Sequence, residues 1–277
     1  MKIKILDQTS LAYRDKKGLP FSEISDLSYD KHHEKLYMIG DKGYLYIFSA
    51  LFSNKITKLK YLHAYPIKDR KNRNTHPDSE GLTLNRKNQL IVSFEKHPQI
   101  SKITPKGKIL SNYKLPKRLR GKKHYKNSNS IFEAVAYHPD YGILTASEYP
   151  INRQKNSHQS IYSLKKKVWH FRTQSYPNSA ITAMEVMDDK NILLIERSYN
   201  GLSKPFIITL KKVYINRCNQ KKLCQSKVLA SFNSAEGWGY NNFEGLAKVG
   251  KNRYLMVSDN NRRSLLPTTL LYFKVNP

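Results

Sequence analysis

A short motif recurs five times along this chain, at a spacing of roughly 50 residues. Glu80-Gly81-Leu82 is followed by Glu95, Glu133-Ala134-Val135 by Glu148, and Glu244-Gly245-Leu246 by Asp259, each time fifteen residues after the first acid. Two weaker copies keep only the second acid: Ser25-Asp26-Leu27 leads to Asp41, and Thr182-Ala183-Met184 leads to Glu196. A repeat of this length describes a unit too small to bury its own apolar face, so the units must stack as an array or close as a propeller.

One unit shows why the acids converge. Gly81 to Leu84 alternates, Asn85-Arg86-Lys87-Asn88 has turn chemistry, and Gln89 to Phe94 is a β-branched and aromatic run. That is a β-hairpin, in which the start of the first strand lies beside the end of the second. Glu80 and Glu95 therefore share one end of a sheet, as do Glu133 with Glu148 and Glu244 with Asp259. Arranged radially, the units bring eight of the 21 acids (Asp41, Glu80, Glu95, Glu133, Glu148, Glu196, Glu244, Asp259) around one mouth. Carboxylates this close raise one another's pKa. A bound cation, or interleaved Arg and Lys, would relieve the repulsion.

Two further candidate strands follow most hairpins: Tyr44 to Ser49 and Ile56 to Tyr65, Gln99 to Thr104 and Lys108 to Leu115, Ser160 to Leu164 and Val168 to Thr173, Pro205 to Ile215 and Lys227 to Phe232. Four strands per unit is the blade of a propeller. The last unit offers only Thr268 to Val275, so the N-terminal run Lys2 to Leu11 is expected to supply its fourth strand and join the chain ends. No segment has sustained helical periodicity, and the 19 tyrosines favour strands. The expectation is an all-β propeller of five four-stranded blades, forming one domain over residues 1–277. Six blades are possible if Arg197 to Asn242 hides an extra one.

Lys and Arg number 49 against 21 acids, a formal net charge of +28. No acid occurs from Lys96 to Phe132 or from Arg197 to Ala235. In propeller strand order, the links between second and third strands and those between blades lie at the acidic mouth. Lys42, Lys96, Arg153, Arg197, Arg262 and Arg263 fall in the first set, and Arg70, Arg73, Lys122, Lys123 and Lys126 in the second. An acidic ring inside a basic collar suits a cation at the centre and a small anionic, phosphorylated ligand above it. The alternative, for most individual lysines, is a solvated basic surface. No helix-turn-helix, RNP-type or zinc-finger pattern supports specific nucleic-acid binding, which leaves weak nonspecific binding through charge.

Cys218 and Cys224 are six positions apart, which suits a loop-closing disulfide in an oxidising compartment; two free thiols are the alternative, and zinc lacks two nearby ligands. The N-terminus MKIKILDQTS has no apolar core of signal-peptide type, and no run is long enough to span a membrane. The expectation is a monomer without a transmembrane segment, either cytoplasmic or a periplasmic or secreted chain whose leader is absent.

Four stretches then carry a resemblance: Asp78-Ser-Glu-Gly-Leu82, Ile131-Phe-Glu-Ala-Val-Ala136, Ile192-Leu-Leu-Ile-Glu-Arg-Ser198, and Asn242-Phe-Glu-Gly-Leu-Ala247 with Leu255-Met-Val-Ser-Asp-Asn-Asn261. In this order the chain resembles the phytase-like β-propeller family, described as having esterase-like activity of phytase, from about Leu19 to Phe273. It departs from the family pattern at Ala134, where Gly is usual, and in Ser25-Asp26-Leu27, which lacks the Glu. The resemblance implies a propeller hydrolase acting on phosphoesters or related esters, in the periplasm or outside the cell.

On this reading Glu80, Glu133, Glu148, Glu196, Glu244 and Asp259 hold one or more hard cations, Ca²⁺ foremost. Glu80, Glu133, Glu244 or His76 would serve as catalytic acid or base. The structural alternative has the same acids binding backbone N–H groups and arginines of neighbouring blades. Arg197 either clamps a phosphate or pairs with an adjacent blade's carboxylate. Arg262 and Arg263 are candidate anion binders or solvated loop charges. His97 has the same two readings as His76, as a base or a loop residue. Asn260 and Asn261 offer neutral oxygens or form an Asx turn, and Trp238 and Tyr240 wall the pocket or pack between blades. No Gly-x-Ser-x-Gly elbow or Gly-rich phosphate loop occurs. Three roles stay open: a metal-dependent hydrolase, a non-catalytic binding propeller for an anionic ligand or cell-envelope partner, and a propeller whose acids only hold blades together.

Overall fold

The structure, a computed structural model, describes residues 2–13, 21–73, 78–126, 130–151, 157–201, 204–238, 241–260 and 268–276. Strand β1 (Ile3–Leu11) leads into blade 1, which is β2 (Ile24–Asp30), β3 (Lys35–Gly40), β4 (Tyr44–Phe52) and β5 (Ile56–Pro66). Blade 2 is β6 (Ser79–Leu84), β7 (Leu90–Phe94), β8 (Gln99–Ile103) and β9 (Ile109–Asn112). Blade 3 is β10 (Ala134–His138), β11 (Gly142–Ala146), β12 (His158–Ser163) and β13 (Val168–Arg172). Blade 4 is β14 (Ala180–Val186), β15 (Ile192–Ser198), β16 (Ile207–Cys218) and β17 (Cys224–Asn233). Blade 5 is β18 (Asn242–Gly250), β19 (Arg253–Asp259) and β20 (Thr268–Val275), and β1 completes it, antiparallel to β20. The innermost strands β2, β6, β10, β14 and β18 touch in that order, and β18 returns to β2. This closes a five-bladed β-propeller.

The stretch from Arg197 to Asn242 holds no sixth blade. It is occupied by β16 and β17, of 12 and 10 residues, which project as a long ribbon. A disulfide between Cys218 and Cys224 joins the ribbon near its tip. The only helical segments among the described residues are three 3-10 turns.

Blades are buried on both faces, so their inner strands read as nearly continuous apolar runs rather than alternating ones. Five apolar clusters fill the spaces between blades. Leu82 and Val92 of blade 2 meet Ile39 and Leu45 of blade 1, for example, and Leu255 and Leu270 of blade 5 meet Leu27 and Phe48 of blade 1. The outermost strands alternate instead, as β5 does with exposed Lys58 and Lys60.

The motif residues sit where blades approach most closely. A Cβ on Gly81 would lie 2.7 Å from the backbone N of Val135 in the next blade, and one on Gly245 would lie 2.8 Å from Asp26 Cα. Strand register also shifts at the motif in four blades, between Ile24 and Asp26, Ser79 and Leu82, Ile181 and Ala183, and Phe243 and Gly245. Such bulges re-aim side chains at a sheet end.

A candidate carboxylate centre at the propeller mouth

Hairpin pairing sets the acids at one end of the ring. Ser79 pairs with Phe94, one residue from both Glu80 and Glu95, and Asn242 pairs with Asp259. Two groups of carboxylates result, each with oxygens within 4.8 Å of one another: Asp78, Glu80 and Glu95, and Glu95, Glu133 and Glu148. Glu95 belongs to both. Glu95, Glu148 and Asp259 are buried.

Crowding shows in proton affinity. Burial is the main cause throughout, because a desolvated carboxylate resists ionisation. It pushes Glu95 up to about 7, helped by Asp78 and Glu148. It pushes Asp41 up to about 6, opposed by the Ser25 hydroxyl and helped by Asp259 and Asp78. Glu80 is raised well above its ordinary range by burial, then by Asp41, Glu95 and Glu244. Glu133 is raised likewise, with Glu80 and Glu148 as the next causes. Among the described residues, the one side-chain hydrogen bond of Glu95 is to another carboxyl, Glu133.

Not every acid is open in this way. Arg197 Nη2 donates to Glu148 Oε1 at 2.9 Å, and its Nη1 donates to Glu244 Oε1 at 2.6 Å. One guanidinium from blade 4 thus ties blade 3 to blade 5. Of the two sequence readings of Arg197, the geometry is the pairing with adjacent blades' carboxylates. Burial works against the Arg197 charge, but Glu244 and Glu148 outweigh it and hold the pKa above the usual value. Glu244 is pushed up to about 8 by burial, even though Arg197 pulls it down.

Glu196, expected among the cation ligands, is drawn aside. Its Oε1 accepts from Lys211 Nζ at 2.8 Å in a buried pair, and its Oε2 accepts the Gln174 N–H at 3.0 Å. Lys211 comes from β16 of the same blade, on a strand neighbouring Glu196, and its cation supplies what the crowded ring lacks.

Blade 1 departs most from the repeat. Ser25 stands where blades 2, 3 and 5 have Glu, and its hydroxyl donates to Asp41 Oδ1 at 2.6 Å. Asp26 takes the glycine position and is buried. It accepts the backbone N–H groups of Leu27 at 2.8 Å, Leu82 at 2.7 Å and Leu246 at 3.0 Å. One carboxyl therefore joins blades 1, 2 and 5. Burial raises its pKa well above normal, against the pull of those three N–H groups.

The collar is partly as expected. Lys96 pairs with Asp78 at 3.4 Å and Lys42 with Glu23 at 3.3 Å. Asn260 Oδ1 accepts the Glu23 N–H at 3.2 Å, so it bridges blade 5 to the entry of blade 1. His97 is exposed. Trp238 packs on Phe232 with ring centroids 4.8 Å apart, which is the packing alternative. His76, Arg153, Tyr240, Asn261, Arg262 and Arg263 lie outside the described residues.

Asp78, Glu23 and Lys211 are site residues that the repeat did not single out. Asp78 and Glu23 precede their strands and belong to no fifteen-residue pair. Asp78 stood in the quoted Asp-Ser-Glu-Gly-Leu stretch, the one signal that marked it. Lys211 faces Glu196 only through the strand order within the blade.

A closed ring of five blades with carboxylates at its mouth defines an acidic-mouthed propeller. The family model for phytase-like proteins, described as esterase-like activity of phytase, matches residues 19–262, and the chain belongs to that family. A comparison with curated protein sequences gives no match. Among solved structures, the Pan2 WD40 domain of Neurospora crassa is 9% identical with a TM-score of 0.42, over 99% of this chain and 96% of that one. The PQQ-bound aldose sugar dehydrogenase of Streptomyces coelicolor is 8% identical with a TM-score of 0.45, over 98% and 97%. Virginiamycin B lyase of Staphylococcus aureus is 10% identical with a TM-score of 0.40, over 98% and 99%. Likeness at that level says nothing about what this chain binds. No helix among the described residues is long and apolar enough to cross a membrane.

Proposed function

We propose that this propeller hydrolyses phosphoesters or related esters at its acidic mouth, with one or more divalent cations held by Asp78, Glu80 and Glu95 or by Glu95, Glu133 and Glu148. The observation that carries the reading is Glu95. It is buried, it belongs to both carboxylate groups, and its side-chain partner is another acid. An all-carboxylate donor set fits a hard cation such as Ca²⁺ and does not fit a soft one. Bound there, the cation would polarise a phosphoryl or ester oxygen and acidify a water.

The chain's own residues would do the rest. Lys96 and Lys42, at the rim, draw an anionic substrate to the mouth. Arg197 fixes Glu148 and Glu244 in place. Glu244, pushed up to about 8, keeps a proton near neutral pH and can give it to a leaving oxygen. Isothermal titration with Ca²⁺, alongside hydrolysis of phosphomonoester and carboxylester substrates, tests the reading. Glu80→Gln and Glu133→Gln are expected to weaken binding and turnover together. Turnover unchanged in both variants, with the protein folded, would overturn it.

A second reading is a non-catalytic propeller that binds an anionic ligand. The observation in its favour is that Arg197 and Lys211 already neutralise part of the ring, and Ser25 removes one acid from blade 1. Saturable phosphate binding without turnover is its expected outcome.

A further inference from the structure

The three longest acid-free stretches of this sequence lie in consecutive blades. Lys96 to Phe132, Tyr149 to Met184 and Arg197 to Ala235 contain no Asp or Glu. They supply the outer half of blade 2 with its link to blade 3, the outer half of blade 3 with the start of β14, and the outer half of blade 4. These three pieces meet at β13, the outer strand of blade 3.

The link is a built feature rather than a loose basic loop. Leu115, Leu119 and Tyr125 are buried against the core between blades 2 and 3. Arg120 Nε donates to the Leu115 carbonyl at 2.7 Å, and the Tyr125 hydroxyl donates to the Leu119 carbonyl at 2.8 Å. With the apolar side chains turned in, Arg118 and Lys126 are turned out to solvent.

The outer strand of blade 3 continues the row. In β13, Trp169 and Phe171 face the core, which leaves Arg172 exposed on the opposite face with His170. The disulfide-closed tip of the β16–β17 ribbon docks on the same strand, where the His170 N–H donates to the Lys222 carbonyl at 2.8 Å. Burial holds the His170 pKa below normal, and His158, Lys222 and Arg118 lower it further. Cations of the link and of the ribbon thus act on one point.

From there the row leads to the mouth. Arg172 lines two hollows, one of about 770 Å³ that it shares with Arg217, and one of about 640 Å³ that it shares with Lys126 and Tyr149. Lys126 Nζ lies 3.9 Å from the centre of the Tyr149 ring, and Tyr149 directly follows Glu148 of the carboxylate centre. Among the described residues, Arg118, Lys126, Arg172, Arg217 and Lys222 form no ion pair. Like charges held together without counter-ions repel, and a bound polyanion relieves that repulsion.

We infer that this row is a docking track for a linear polyanion with closely spaced phosphates, lying outside the carboxylate mouth and leading into it. The track descends into a groove whose lining sets Ser157, Gln174 and Asn178 beside the aromatic rings of Tyr149 and Tyr176. This goes beyond hydrolysis, because docking needs neither a cation nor turnover. A free phosphate polymer and a single-stranded nucleic acid share the chemistry, and Tyr149 and Tyr176 in the groove offer stacking surfaces that favour the second.

The test is fluorescence anisotropy, in chelator, with labelled long-chain inorganic polyphosphate and with single-stranded oligothymidylate of equal charge. The track variant is Arg118→Gln/Lys126→Gln/Arg172→Gln/Lys222→Gln. The control, Lys31→Gln/Lys55→Gln/Lys58→Gln/Lys60→Gln, removes equal charge from exposed positions of blade 1. Each lost phosphate contact lowers the salt slope by about 0.7, so four lower it by about 3. A fourfold rise in salt should then weaken wild-type binding about 60-fold more than binding by the track variant. The control should keep the wild-type slope. Tighter binding of the oligonucleotide is the expected result, and tighter binding of polyphosphate would overturn the assignment of the track to a single-stranded nucleic acid.

Equal slopes for the track variant and the control would overturn it. So would binding to anionic phospholipid vesicles with no binding to either polymer. Acetylation of the wild-type protein gives an independent readout: polymer should protect Lys126 and Lys222, and uniform protection of all lysines would overturn the inference.

Discussion

Glu95→Gln should stabilise the cation-free protein, contrary to the usual effect of altering a buried site. Burial and neighbouring acids push the Glu95 carboxyl from 4.5 up to about 7. The folded state therefore holds this proton more tightly than the unfolded chain does. Stability from this group is fully present at low pH and is lost as pH rises from about 4.5 through about 7. At roughly 1.4 kcal/mol per tenfold change in proton affinity, ionising Glu95 costs the fold up to about 3 kcal/mol above pH 7. Part of that energy is shared with Glu80, Glu133 and Asp78, so the single substitution should recover about 1–2 kcal/mol. The assay is urea unfolding in chelator at about pH 8 and about pH 5, with the m-value checked for constancy. Glu95→Gln should be the more stable protein at the higher pH, and the advantage should shrink at the lower. Millimolar Ca²⁺ should favour the wild type, because a ligand of the folded state stabilises it by mass action. A variant no more stable than wild type in chelator at pH 8 would refute the electrostatic reasoning.

Arg197→Met should cost about 3–5 kcal/mol near pH 8, since it leaves Glu148 and Glu244 without their shared cation. The loss should lessen on acidification as Glu244 protonates below about 8, which denaturant unfolding across pH can follow. Asp26→Ala strips three backbone N–H groups of their acceptor and should cost about 3 kcal/mol, with amide hydrogen exchange accelerating at Leu82 and Leu246. Reducing Cys218–Cys224 should cost about 2 kcal/mol for so short a loop, and exchange should quicken at the His170 amide, where the ribbon tip docks.

The fold was legible because the repeat is local. A hairpin of one blade lies within about twenty residues, and Glu80, Glu95, Glu133 and Glu148 could be placed at one mouth from strand alternation alone. The ring of acids follows from that placement. Its neutralisation does not. Lys211 meets Glu196 across neighbouring strands of blade 4, and Arg197 reaches two other blades, so neither partner has a fixed spacing in sequence. Asp26 looked like a defective copy of the motif. It is an acid placed where Gly245 of the neighbouring blade leaves room, and only the closed ring shows this. The sixth-blade alternative arose because strand length is poorly encoded: β16 and β17 run on as a ribbon with the composition of ordinary strands.

Pairing of Ile3–Leu11 with Thr268–Val275 also sets a timetable. During synthesis the first strand leaves the ribosome long before its partner exists, and blades 1 to 4 are complete before the ring can shut. Contacts between such distant segments are slow to form, because the intervening chain must be ordered first. Until then β20 is an edge open to pairing with other chains. The nascent protein is therefore most exposed to misassembly in the interval between finishing its fourth blade and the pairing of β20 with β1.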